Sequence, residues 1–302
     1  MSAELLSEIE AINGDVVAGK GSGPGATNLW RAGLHHRARH SSPTPALRQL
    51  VSHQTLLARY LSDELPGALA QRGGRRLAGC SGEAACTSAA CPVCRAFGDA
   101  WLARTCGQLL QAKPHGWVAF GGIILDEDPI EALEGYTPRR LSDEFNRSLQ
   151  QLGLDHLAWH GRFAVSVQSS LATREDSITI TVAAVTTTGP YHDLSGRFDE
   201  RPLGTLMAFR AAAAVEAGAE GIDDACRLAH HQWNVPTATQ QGCTRLSQFA
   251  APPAHDLPGD LRAIELELAV ASHVATWGYR DLLLPASAAR FDNLIGSDWV
   301  PG

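Results

Sequence analysis

The chain has no apolar run of about 18 residues, the length that a membrane-spanning helix requires. Its first residues, MSAELLSEIEAI, also lack the basic and apolar regions of a secretory signal. We therefore expect a cytoplasmic protein without a membrane partner, in which cysteines stay reduced. In such a compartment, clustered cysteines bind metal more often than they form disulfides.

Several motifs of common enzyme classes are absent as well. The sequence contains neither the GxSxG motif of serine hydrolases nor the HExxH motif of zinc proteases. The glycine-rich segment GKGSGPG at 19–25 lacks the spacing and the terminal Lys-Ser/Thr of a phosphate loop, so it is interpreted as a flexible loop. The DED triplet at 126–128, just before Pro129, is interpreted as a solvated turn rather than a cation site.

Acidic residues are missing from one long stretch, although the whole chain has a net charge of −7. No Asp or Glu occurs between Val16 and Ser62, where the basic residues are Lys20, Arg31, Arg37, Arg39, Arg48 and Arg59. This distribution predicts a basic face on an acidic protein, suited to phosphate contacts. A solvated face without a partner is the alternative.

Four of the seven cysteines are clustered as C-x5-C-x4-C-x2-C, at Cys80, Cys86, Cys91 and Cys94. Four thiolates can close a tetrahedral site, and the final C-x2-C is the usual tight knuckle of structural zinc. The pattern predicts one structural Zn²⁺. An iron–sulfur cluster needs the same thiolates, and buried free thiols remain a further alternative. Cys106 can substitute for one ligand, whereas Cys226 and Cys243 are predicted to be ordinary buried residues.

A histidine-rich segment, HHRARH at 35–40, offers a different chemistry. Histidine is the natural general base for attack by a 2′-hydroxyl in metal-free RNA cleavage. The segment therefore supports an alternative function, a ribonuclease that uses His35, His36 or His40. Neighbouring arginines make backbone-contacting surface the simpler interpretation.

The periodicities predict a mixed α+β fold. Helices are expected over 45–71, 96–113, 141–152 with Ser142 as N-cap, and the alanine-rich segment 202–217. Short helical patterns also occur at 3–12 and 222–232. Strands are expected in GWVAFGGIILDED and over 160–171 and 177–187, the last two joined as a hairpin. No alternating βαβ pattern occurs, which argues against a doubly wound sheet.

The segment from Pro45 to Gly98 resembles the RAMP superfamily of CRISPR-associated proteins, most of all the backbone-type subunits of type III and related type IV effector complexes. The helix PALRQLVSHQTLLARYL is followed by a cysteine-bearing loop from Cys80 and by the turn CPVCRAFG, in the order and spacing of that family. The resemblance implies one RAMP-like domain over 1–302, with a ferredoxin-like, RNA-recognition-type sheet and a zinc-binding insertion at about 78–98.

The resemblance also implies a function, the binding of a CRISPR guide RNA within a ribonucleoprotein effector that contains other subunits and engages target nucleic acid. Together with the basic stretch, it points to Lys20, Arg31, Arg37, Arg39 and Arg48 as RNA contacts. Target-cleaving relatives carry an acid in an early loop, whereas this chain offers only Asp15 nearby. We therefore expect a non-catalytic subunit. The alternatives are a guide-RNA-processing ribonuclease of the same superfamily and an iron–sulfur or redox protein.

Overall fold

A computed structural model of the chain describes residues 45–80, 85–112, 116–125, 127–170, 176–188, 208–213, 243–247 and 261–295. These residues divide into two units. The described part of the helical unit lies in 45–101, 261–280 and 288–295. The described part of the sheet unit lies in 102–247 and 281–287. The prediction of one RAMP-like domain stays a prediction.

The helical unit begins with two helices where the sequence predicted one. Helix α1 spans Pro45–Arg59, a π-helical turn covers Tyr60–Glu64, and α2 spans Ala68–Ala78. The prediction of an uninterrupted helix over 45–71 was wrong because Pro66 disfavours helical geometry in the residue before it. Gly67 then takes a φ of 120°, a conformation that favours glycine.

Helices α1 and α2 pack antiparallel, with α2 very close to its neighbours. Nε2 of Gln54 on α1 donates a hydrogen bond to the carbonyl of Leu77 on α2, 2.6 Å away. A Cβ added at Gly74 would lie 2.8 Å from the carbonyl oxygen of Ala58, so only glycine allows this approach. Further elements of this unit include α6 at Leu261–Val274 and the first part of α3, which spans Pro92–Ala112. The helix predicted over 96–113 is thus confirmed.

The sheet unit contains five antiparallel-paired strands in the order β4-β1-β3-β2-β5. Their bounds are Gly116–Leu125 for β1, His160–Ser170 for β2, Asp176–Thr187 for β3, Ala208–Ala213 for β4 and Cys243–Ser247 for β5. Since β3 is antiparallel to both β1 and β2, those two strands run parallel with β3 between them. The predicted strand at β1 and the predicted β2–β3 hairpin are confirmed.

Two short elements connect β1 to β2, namely α4 at Pro129–Glu134 and α5 at Pro138–Leu152. Phe145 of α5 packs edge-on against Phe163 of β2, with ring centroids 6.0 Å apart, so α5 contacts the sheet through an aromatic pair. Thr137, not Ser142, is the N-cap of α5, since its side chain accepts a hydrogen bond from the Arg140 amide at 3.2 Å. Pro138 fits the first helical position, where no amide hydrogen is needed.

The alanine-rich segment is where the prediction failed most clearly. Helix was expected over 202–217, yet Ala208–Ala213 forms β4 and pairs with β1 along Trp117–Gly122. Alanine favours helix only weakly, by a few tenths of a kcal/mol per residue, and pairing with a neighbouring strand overrides such a preference. The patterns at 3–12 and 222–232 lie outside the described residues.

Two further elements, the 3₁₀ turn Arg280–Leu282 and α7 at Pro285–Ile295, follow α6. None of the described helices is long and apolar enough to cross a membrane.

Candidate metal centre

Four cysteines converge where α2 ends and α3 begins. Cys80 follows α2, Cys86 lies in the connecting loop, Cys91 directly precedes α3, and Cys94 lies in the first turn of α3. Sγ of Cys80 is 3.5 Å from Sγ of Cys94 and 3.7 Å from Sγ of Cys91, and Cys86 and Cys94 are 3.7 Å apart. All four sulfurs lie within 4.8 Å of one another. Such a cluster can hold a metal ion.

The cluster is partly enclosed. Cys91 and Cys94 have 0% exposure, whereas Cys80 and Cys86 are half-buried. The five cysteines whose side chains are described, these four and Cys106, are free thiols. Cys106 is buried further along α3 and is not part of the cluster. A set of four soft sulfur donors is typical of zinc or iron–sulfur sites.

The close packing of the four sulfurs lowers the pKa of one thiol and raises the pKa of two others. Hydrogen bonds with Cys86, Cys91 and Cys94 lower the pKa of Cys80. Hydrogen bonding to Cys80, with burial adding to it, raises the pKa of Cys91 and Cys94. A bound metal would have to displace the thiol protons, because only thiolates are good ligands.

The cysteine loop is tied to a distant part of the chain, the segment after α6. The amide of Ala89 donates to the carbonyl of Trp277 at 2.9 Å, and the amide of Tyr279 donates to the carbonyl of Thr87 at 2.7 Å. The hydroxyl of Ser88, which is fully buried, donates to the carbonyl of Ala275 at 2.7 Å. The metal candidate is therefore supported by residues almost two hundred positions away in sequence.

The first turns of α3 are tied to the same segment by a buried polar network. Nε of Arg95 lies 3.4 Å from a carboxylate oxygen of Asp99, and both side chains are buried. The hydroxyl of Tyr279 donates to the other oxygen of Asp99 at 3.0 Å. Gly98 makes room for this tyrosine, since a Cβ there would lie 2.5 Å from its ring.

Most of the other predicted site residues lie outside the described residues. These are the predicted RNA contacts Lys20, Arg31, Arg37 and Arg39, the alternative catalytic residues His35, His36 and His40, and also Asp15 and Cys226. Arg48 is exposed on α1. Cys243 lies in β5, with a side chain that is not described. Glu127 and Asp128 of the DED triplet are exposed before α4, in accord with the turn predicted there.

Sequence reasoning missed the residues that surround the cluster. Arg76, Asp99 and Tyr279 were not predicted as site residues. Their partners are distant in sequence, so a single sequence carries little signal for them. The motif RGGRRLAGC, with two glycines beside arginines on a helix that leads into Cys80, was the one available hint.

Searches against family models, curated proteins and solved structures find no match for this chain.

Proposed function

We propose that Cys80, Cys86, Cys91 and Cys94 bind one Zn²⁺ that stabilises the helical unit. The sulfur spacing carries this proposal. Four sulfurs about 2.3 Å from a central zinc form a tetrahedron whose edges are about 3.8 Å long. Three of the six sulfur–sulfur separations, at 3.5, 3.7 and 3.7 Å, are close to that value. An iron–sulfur cluster places several atoms between its thiolates, so four sulfurs that all lie within 4.8 Å of one another favour a single ion.

A site closed by four protein ligands has no open position for substrate, so the ion's role is structural. We expect elemental analysis of the purified chain to find about one zinc per molecule and no inorganic sulfide. Cys94→Ser should lower both the zinc content and the thermal stability, because metal binding is coupled to folding. Cys106→Ser is the matched control, a buried cysteine outside the cluster, and should keep its zinc. A brown protein that contains iron would favour the redox alternative.

We further propose that the chain is a non-catalytic, guide-RNA-binding subunit of a CRISPR ribonucleoprotein effector. The RAMP-like segment supports this proposal, since α1, the cysteine loop and the CPVCRAFG segment, which was expected to be a turn but forms the start of α3, adjoin one another in the helical unit. The sheet adds independent support. Parallel β1 and β2, with β3 between them and β4 beyond β1, are arranged as in a ferredoxin-like fold built on a split βαβ unit. Sheets of that kind are a common scaffold of RNA-recognition domains.

The described surface of α1 and α2 adds a charge argument. Arg48, Arg72 and Arg75 are exposed there. Within the described part of the chain, their guanidinium groups have neither a hydrogen bond nor an ion pair. Exposed arginines on a protein of net charge −7 suit a polyanionic partner. The same helices also expose the apolar residues Val51, Leu56 and Leu69.

The test is to purify the protein, alone and with its partner subunits, and to examine the bound nucleic acid. We expect RNA of uniform length, released by salt. Absence of RNA from both preparations would contradict the proposal. Incubation of repeat RNA with the protein in EDTA separates the ribonuclease alternative. Cutting at one site, abolished by replacing His35, His36 or His40 with Ala, would favour that alternative.

A further inference from the structure

Arg76, on the last turn of α2, contacts three groups around the cysteine loop. Its Nε donates to the carbonyl of Cys86 at 2.9 Å, and its Nη2 donates to the hydroxyl of Thr87 at 3.2 Å. Its Nη1 donates to the carbonyl of Thr276 at 2.8 Å. All three nitrogens of one guanidinium thus connect α2, the loop that carries Cys86, and the segment after α6.

The loop needs such support because its backbone is strained next to a candidate ligand. Thr87 has a φ of 53°, in the left-handed region that β-branched residues rarely adopt. A conformation of this kind is energetically unfavourable and persists only where the surroundings hold it. Arg76 holds the side chain of Thr87, while the amide of Tyr279 holds its carbonyl at 2.7 Å. This strained residue directly follows Cys86 and so affects where the Cys86 sulfur lies.

Charge favours the same arrangement. Four thiolates outnumber the two positive charges of a zinc ion, so a loaded site stays negative. A half-buried guanidinium hydrogen-bonded to the backbone of one ligand offsets part of that charge. Its planar fork serves two acceptors of the loop at once, which a lysine ammonium cannot do with the same geometry.

We propose that Arg76 is the positioning residue of the metal centre, holding the Cys86–Thr87 backbone in the geometry that binds the ion. This inference rests on the proposed zinc site. Arg75 provides a matched comparison, because it is the adjacent arginine on the same helix, is exposed, and its side chain makes no hydrogen bond to the described residues of the loop. The two positions differ in their contacts and not in residue type.

The test compares Arg76→Gln, Arg76→Lys and Arg75→Gln by zinc competition against a chromophoric chelator. Arg76→Gln should weaken zinc binding about tenfold to a hundredfold, the usual effect of losing a residue that supports a metal ligand. Arg76→Lys, which keeps the charge but not the fork, should lose a large part of that affinity. Arg75→Gln should bind zinc like the wild type.

Thermal unfolding with saturating zinc and with chelator supplies the second measurement. For Arg76→Gln, we expect the difference in melting temperature between loaded and chelated protein to shrink. A merely structural role would lower both temperatures equally and leave zinc affinity unchanged, and that result would overturn the inference. If Arg76→Gln does not fold, an Arg76→Lys variant with wild-type zinc affinity would overturn it equally. Failure of the wild type to bind zinc would instead contradict the proposed function.

Discussion

At the scale of single residues, Asp99 shows how the α3 helix is held in the helical unit. Asp99 is only 2% exposed. Its carboxylate forms an ion pair with Arg95 one turn earlier and accepts a hydrogen bond from the hydroxyl of Tyr279. A buried carboxylate is tolerated when it is paired and hydrogen-bonded in this way. Because Cys91 and Cys94 lie at the start of the same helix, this network also orients two candidate metal ligands.

Tyr279→Phe is therefore expected to destabilise the protein by about 1.5–3 kcal/mol, the usual contribution of a hydrogen bond to a charged group. The ring and its packing against Gly98 are retained, so the loss reports the hydroxyl. Chemical denaturation of the zinc-loaded protein measures the change. Tyr60→Phe is the control, since Tyr60 is half-buried and its hydroxyl has no hydrogen bond within the described residues. Equal stabilities of the two variants would contradict the role assigned to Tyr279.

At the scale of elements, two adjacent glycines determine how closely α2 packs. A Cβ at Gly73 would lie 2.5 Å from the Cβ of Ala275, and a Cβ at Gly74 would lie 2.7 Å from the amide nitrogen of Ser62. Glycine ordinarily weakens a helix by about 1 kcal/mol relative to alanine. Here that loss is offset by contacts that no other residue allows. The close approach of α2 to Ala275 also keeps Arg76 within hydrogen-bonding distance of the Thr276 carbonyl.

Gly73→Ala should consequently lower the stability by about 1–3 kcal/mol, although the substitution improves helix propensity. The reason is the steric clash with Ala275, which can be relieved only if α2 moves. Denaturant unfolding measures the effect.

Gly79→Ala provides the control for this substitution. Gly79 has an ordinary φ of −74°, and its nearest atoms would lie 3.6 Å from an added Cβ. This variant should be neutral or slightly stabilised. A stabilised Gly73→Ala would show that the helices are not as close as described.

At the scale of the whole molecule, the distribution of charge matters more than its sum. The chain is acidic, yet Arg48 on α1 and Arg72 and Arg75 on α2 are exposed and have no acidic partner among the described residues. If these arginines contact RNA phosphates, binding there is electrostatic and largely independent of sequence.

The double reversal Arg72→Glu with Arg75→Glu should weaken RNA binding for all sequences. It should also reduce the slope of log K against log salt by about 1.4, since each contact to a single strand contributes about 0.7. The control is Arg139→Glu with Arg147→Glu, two exposed arginines on α5, which changes the net charge by the same amount. An equal effect of both pairs would indicate a response to overall charge. Altered sequence preference at constant affinity would argue against backbone contacts.

Local patterns in the sequence were sufficient for some features. The four cysteines occupy fifteen consecutive positions, so their proximity needs only a short loop between two helices. The β2–β3 hairpin follows from strict alternation of apolar residues, because a one-residue change of register would expose the whole apolar set. Both predictions depend on residues that are near one another in the chain.

Only the tertiary structure decided the remaining features, because their energies come from partners far apart in sequence. Ala208–Ala213 is a strand since β1 offers it backbone hydrogen bonds, and no local preference of alanine predicts that outcome. Arg76 differs from Arg75 because its guanidinium donates a hydrogen bond to the carbonyl of Thr276, two hundred residues away. Sequence alone therefore determined the donor set of the candidate metal site, while long-range packing selected the residues that hold it in place.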